Sequence, residues 1–130
     1  MITISVYKQG NYPVAASKIK KAVKETLEKE GVVSDFDVSV ALVGKDKMDE
    51  LVTKYYKEDP KGEYEHPVLT FVTLESKGTF VNPEKKVDLG EIIISYPSAV
   101  EESKETGKLV EEVVLELAKH GSYHLVGIHH

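Results

Sequence analysis

The chain has 130 residues, of which 41% are hydrophobic and 30% are charged, a profile of one globular domain rather than a disordered tail or a fibre. It contains no cysteine, which excludes zinc ribbons, CxxC redox chemistry and thiol nucleophiles, and restricts any metal site to His, Asp and Glu ligands. The net charge is −5 and all 17 basic residues are lysines, so the composition argues against nonspecific binding of duplex DNA over the whole surface.

The first half of the chain alternates between strand and helix patterns. Residues 2–7 alternate apolar and polar side chains, which predicts a strand with one buried face. Residues 14–30 carry apolar side chains at helical spacing, and Gly31 is a stop signal. Residues 38–43 then predict a second strand, and residues 46–57 a short second helix.

The second half contains two strands followed by two helices. Residues 68–74 and 89–95 are rich in β-branched and aromatic side chains, and we expect these two strands to be adjacent. Residues 97–106 predict a short polar helix, and residues 108–125 a longer helix that Gly127 caps.

The predicted element order is βαβαββαα. We therefore expect an α+β fold, a single layered domain over residues 1–130 with a four-stranded mixed sheet packed with helices. The amino terminus lacks a basic segment followed by an apolar core, and no run approaches the ~18 to 20 apolar residues of a membrane span. Together with the absence of cysteine, this pattern predicts a cytoplasmic protein that has no membrane partner.

Four of the five histidines lie within residues 120–130. His120 and His124 are one turn apart on the predicted last helix, which allows both imidazoles to bind one cation. Gly127 permits a sharp reversal, after which His130 can return to the same point. The spacing therefore predicts a zinc site with three histidine ligands and a fourth position open to water.

The helical projection adds an expectation about burial. His120 and His124 project on the same side as Leu117, so we expect the pair to face the core, where an unpaired imidazole costs on the order of 1 to 3 kcal/mol and a metal would compensate. Gly121 costs ~1 kcal/mol relative to alanine in a helix, which predicts that another element or a substrate lies against the backbone there. The alternatives are an ordinary surface or core histidine pair, and an affinity tag that begins at His129.

The carboxyl-terminal sequence H-G-S-Y-H-L-V-G-I-H-H, residues 120–130, resembles the signature H-G-x-L-H-L-x-G-Y-D-H of the YbeY-type rRNA maturation endoribonucleases. Tyr123, Ile128 and His129 stand where that family usually has Leu, Tyr and Asp. Upstream, Pro67-Val-Leu-Thr-Phe71 is similar to the family's D-V-L-S-F strand, and Leu89-Gly-Glu-Ile-Ile-Ile-Ser95 to its L-G-D-I-x-I-S strand.

This resemblance implies that His120, His124 and His130 hold one zinc ion per chain. It also implies cleavage of single-stranded RNA in small-subunit rRNA maturation and ribosome quality control, with RNA and the small ribosomal subunit as partners and no DNA partner. Zinc held by three histidines lowers the pKa of its bound water towards ~7 and polarises phosphoryl oxygens, which suits phosphodiester hydrolysis.

Two further residues are catalytic candidates by the same resemblance. Lys57 follows Tyr56 at the place of a family arginine that contacts RNA phosphate, and Lys61 is an alternative match; lysine keeps the charge but loses the planar fork. Glu91, at the acidic position of the L-G-D-like strand, is expected to face the active-site groove or to orient a metal ligand, and an exposed strand-end carboxylate is the alternative.

Three other interpretations remain open at this point. A zinc peptidase of the metzincin type would need a general-base Glu after the first histidine, where this chain has Gly121. A metal-stabilised RNA- or ribosome-associated binding protein with little or no nuclease activity is favoured by the lysine in place of arginine. Tyr55, Tyr56 and Tyr64 are typical of partly packed tyrosines near a helix end, with base stacking as the alternative.

Overall fold

The computed structural model describes residues 2–32, 35–56, 67–72 and 87–127. The elements follow the predicted order, and within these ranges their ends lie within two residues of the predicted ones. They are β1 (Thr3–Lys8), α1 (Ala16–Lys29), β2 (Phe36–Val43), α2 (Lys45–Tyr56), β3 (Val68–Val72), β4 (Val87–Ser95), α3 (Tyr96–Thr106) and α4 (Val110–Leu125).

The strands form one four-stranded mixed sheet in the order β1-β2-β4-β3. β2 pairs parallel with both β1 and β4, and β3 pairs antiparallel with β4, so the predicted mixed sheet and the adjacency of the last two strands are confirmed. Pairing between β2 and β4 steps from Asp37–Asp88 to Val38–Gly90, which leaves Leu89 as an extra residue in β4. This bulge changes the alternation of β4 side chains between the two faces of the sheet.

The two faces of the sheet carry separate hydrophobic clusters. α1 and α4 cover one face, where β-branched residues of β2 and β4 such as Val40 and Ile92 are fully buried. α2 covers part of the other face through Met48 and Val52, which pack on Ile93. Burying a side chain of this size contributes about 1.5 to 3 kcal/mol, so α4 is held mainly by its apolar stripe.

Close packing between α4 and β4 depends on two glycines. An added Cβ at Gly121 would lie 2.6 Å from Cγ2 of Ile92, and one at Gly90 would lie 2.6 Å from Cδ2 of Leu125. The expectation that another element lies against Gly121 is therefore confirmed, and that element is β4. Since position 121 meets position 92 and position 125 meets position 90, α4 runs antiparallel to β4.

The ends of the last two helices agree with the sequence signals. The Ser95 side chain caps α3 by accepting a hydrogen bond from the Ser98 amide at 3.3 Å. Gly127 follows α4 with a φ of 78°, the left-handed conformation that reverses the chain after a helix. Among the described helices, none combines the length and the hydropathy that a membrane span needs.

Candidate functional site

α4 brings His120 and His124 together, as their spacing predicts. The two Nε2 atoms are 2.9 Å apart, and the ring centroids are 4.5 Å apart with an interplanar angle of 68°. At this distance one ring N–H can donate to the other ring nitrogen, or both nitrogens can face one cation. The pair is therefore a two-nitrogen site on a single helix face.

The expectation that the pair faces the core is wrong. His120 is exposed and His124 is half-buried, whereas Gly121, Ser122 and Leu125 are buried. The buried stripe of α4 is centred nearer to Ala118 and Gly121, and Leu117 marks its edge. Solvent reaches the imidazoles, so no large desolvation cost has to be offset by a metal.

The histidine pair opens away from α1. Glu111 of α4 lies next to α1, since its Oε1 is 2.8 Å from Nζ of Lys18. His120 is nine residues from Glu111, and at 100° per residue this places it on the opposite side of the helix. That flank of α4 lies toward β3, the edge strand of the sheet.

The donor set fits zinc. A tetrahedral zinc with bonds of 2.0 to 2.1 Å holds two nitrogens about 3.3 Å apart, and the observed 2.9 Å is a few tenths of an ångström from that value. Neutral imidazole is a preferred zinc ligand. The third predicted ligand, His130, lies outside the described residues, and within those residues no group of three His, Asp or Glu side chains is placed to hold a metal.

Glu91 lies on the other face of the sheet. Its neighbour Ile92 packs against α4, whereas Glu91 pairs in register with Ser39 of β2 and Phe71 of β3 and lines a groove beside α2. The structure thus places Glu91 in a groove as an exposed carboxylate, and does not bring it to the histidine pair. Its predicted catalytic role stays a prediction, as does that of Lys57, which with Lys61 lies outside the described residues.

The groove has a volume of about 310 Å³ and combines aromatic and acidic side chains. The Tyr55 ring is packed against Phe71 with centroids 4.9 Å apart and an interplanar angle of 60°, yet Tyr55 remains 54% exposed. The expectation of partial packing is therefore confirmed for Tyr55. Asp88 and Ser39 were not singled out from the sequence, because only the strand register places them beside Glu91.

Two exposed ion pairs help to position α4. The hydrogen bond from the Lys18 side chain lowers the pKa of the Glu111 carboxyl and joins α1 to α4. Lys108 precedes α4, and the Glu116 carboxylate, which accepts hydrogen bonds from its ammonium at 2.9 and 3.1 Å, raises its pKa. Both pairs are solvated, so they position the amino-terminal half of α4 and contribute little to the stability of the fold.

Comparison with known proteins gives one consistent result. The family model described as Endoribonuclease YbeY matches residues 6–130. The chain is 33% identical over 129 residues to Endoribonuclease YbeY of Moorella thermoacetica, covering 94% of this chain and 80% of that protein. It is 30% identical over 125 residues to Endoribonuclease YbeY of Dehalococcoides mccartyi, covering 90% and 76% respectively.

A solved structure is similar as well. The solution structure of the Thermotoga maritima protein TM1509 matches with a TM-score of 0.56 and 27% sequence identity. The match covers 98% of this chain and 75% of that one. The similarity therefore extends over the sheet and the helices on both of its faces.

Proposed function

Because the chain belongs to the Endoribonuclease YbeY family, we propose that it is a zinc-dependent endoribonuclease that cleaves single-stranded RNA. Family membership supports an endoribonuclease, a hydrolase with an RNA substrate, that processes rRNA. Our proposal adds the zinc ion, small-subunit rRNA maturation, ribosome quality control, the small ribosomal subunit as partner and a cytoplasmic location.

The observation that carries the proposal is the pair of imidazoles on α4. His120 and His124 present their Nε2 atoms 2.9 Å apart on a solvent-accessible flank of the helix. These two residues, with His130 as the third, would hold the zinc ion. When bound, the ion supplies Lewis acidity to a phosphoryl oxygen and to an attacking water.

The chain's own contribution is to hold the imidazoles in place. Gly121 lies between the two histidines and packs directly on Ile92, so the helix backbone at the site is fixed against the centre of the sheet. A site on a rigid element loses little free energy in ordering its ligands. In the same proposal, the Lys57 ammonium attracts an RNA phosphate, without the bidentate geometry of an arginine.

Cleavage of a single-stranded RNA by the purified protein tests the proposal. We expect His124→Ala to lower the cleavage rate by at least about 100-fold, because loss of a ligand removes several kcal/mol of charge stabilisation. RNA binding, measured by fluorescence anisotropy, should persist. Glu112→Gln, an exposed change on the same helix, is the matched control and should retain activity. Cleavage that survives His124→Ala unchanged contradicts the proposal.

The alternative is an RNA-binding protein with little nuclease activity. The lysine at position 57 supports it, because lysine cannot form the bidentate phosphate contact of an arginine. It predicts tight RNA binding without cleavage by the unaltered chain. The peptidase interpretation has no support in the structure. Position 121 has no room for a general-base glutamate, since even a Cβ there would overlap Ile92.

A further inference from the structure

We propose that the groove beside α2 binds a guanine base, with the Glu91 carboxylate accepting two hydrogen bonds from its Watson–Crick edge. This inference rests on the proposed function, because it names the part of an RNA substrate that the groove would select. The groove lies on the face of the sheet opposite α4, the helix that carries His120 and His124.

The groove exists because α2 covers only part of the sheet face on which it packs. Leu69, Ala41 and Ile93 form a cluster with α2, whereas among the described residues α2 does not extend over the whole of the next register row. That row consists of Ser39, Glu91 and Phe71, of which Phe71 packs against the α2 cluster and forms one wall of the groove. Its volume of about 310 Å³ is at the lower end of small-ligand sites, which suits one nucleoside better than a larger ligand.

Aromatic side chains at the rim provide a stacking surface. Tyr55 lines the groove and is 54% exposed, and its ring packs against Phe71 at an interplanar angle of 60°. Stacking of a base on an aromatic ring changes affinity by roughly 5- to 150-fold and tolerates any base. Stacking therefore explains why a base would enter, but not which base.

The carboxylate selects the base. Within the described part of the chain, Glu91 accepts no hydrogen bond and forms no ion pair, whereas Asp88 already accepts one from the Gly90 amide at 3.1 Å. An ionised carboxylate only accepts hydrogen bonds. Guanine presents two adjacent donors, N1–H and N2–H, which match the two carboxylate oxygens. Uracil has one N–H between two carbonyls, and adenine and cytosine each place an acceptor nitrogen beside the amino group.

The charges around the groove also orient the nucleotide. Asp88 and Glu91 repel phosphate from the floor of the groove. Nζ of Lys54 lies over the Tyr55 ring, 5.1 Å from its centroid, so a base that stacks on this ring face displaces the ammonium toward its own phosphate. The arrangement thus favours a nucleotide with its base inside and its phosphate at the rim.

Isothermal titration of the full chain with the four nucleoside 5′-monophosphates tests this inference. We expect guanosine monophosphate to bind about tenfold or more tightly than uridine monophosphate, since a good bidentate contact gives discrimination of this size. Glu91→Gln should abolish the preference, and Tyr55→Ala should weaken binding of all four nucleotides. Glu101→Gln, an exposed change on α3, is the matched control and should behave like the unaltered chain.

Equal affinity for the four nucleotides, or a guanine preference that persists in Glu91→Gln, would overturn the inference. A third contrary result is Glu91-dependent binding of a tri-arginine peptide by a chain that does not bind guanosine monophosphate. The last result would assign the groove to a cationic protein segment. The titration needs no cleavage, so its outcome is separate from that of the proposed function. Guanine binding by a chain that cleaves no RNA would contradict the nuclease alone, and RNA cleavage without guanine binding would contradict only the groove assignment.

Discussion

Replacing Gly121 by alanine measures how closely α4 packs on the sheet at the histidine pair. The added Cβ would lie 2.6 Å from Cγ2 and 3.2 Å from Cγ1 of Ile92. Both carbons belong to a branched side chain that is fully buried, so rotation cannot move them far away. Overpacking of this kind costs about 1 to 3 kcal/mol, whereas alanine gains about 1 kcal/mol over glycine in a helix interior. We therefore expect Gly121→Ala to lower the free energy of unfolding by about 1 kcal/mol, within limits of about 0 and 2 kcal/mol.

Urea denaturation followed by circular dichroism gives this quantity, and a second background isolates its cause. In an Ile92→Ala chain, which by itself loses about 2 to 5 kcal/mol, both γ carbons are gone. Gly121→Ala should then be neutral or stabilising by up to about 1 kcal/mol, because only the helix-propensity gain remains. An equal effect of Gly121→Ala in both backgrounds would refute close packing as the reason for the glycine.

Three further predictions concern the amino-terminal half of α4 and the packing around Gly90 of β4. The Lys18 side chain lowers the pKa of Glu111, so this ion pair stabilises the fold above the ordinary carboxyl pKa and ceases to do so as pH falls through the lowered pKa. Glu111→Gln should therefore reduce the drop in urea midpoint between pH 7 and pH 3. Glu116 raises the pKa of Lys108, so this ion pair stabilises the fold below the ordinary lysine pKa and ceases to do so as pH rises through the raised pKa. Glu116→Gln should therefore reduce the drop in urea midpoint between pH 7 and pH 11. Gly90→Ala places a Cβ against the β3 backbone, which cannot rotate away, and we expect a loss of at least about 2 kcal/mol by thermal unfolding; an unchanged midpoint would contradict the contact.

The element order was predictable because each segment has a clear hydrophobic period. Alternation in residues 2–7 and helical spacing in residues 14–30 are local signals, and the structure places β1 and α1 there. The glycines at positions 121 and 127 were also informative, since a costly residue in a helix and a left-handed turn each have a local energetic signature.

The environment of the histidines and of Glu91 could not be read in the same way. Helical projection placed His120 beside Leu117, but the width and centre of the buried stripe depend on how α4 packs against α1 and the sheet. The groove at Glu91 depends on strand register and on where α2 stops covering the sheet. These are tertiary properties, so a single sequence identified the acidic residue without its surroundings.

The central claim is that the histidines of α4 form a metal site, and elemental analysis of the protein purified without nickel tests it most directly. We predict about one zinc per chain in the unaltered protein and none in His124→Ala, with circular dichroism showing that both are folded. Well-folded unaltered protein without zinc, or an equal zinc content in the two proteins, would contradict the claim.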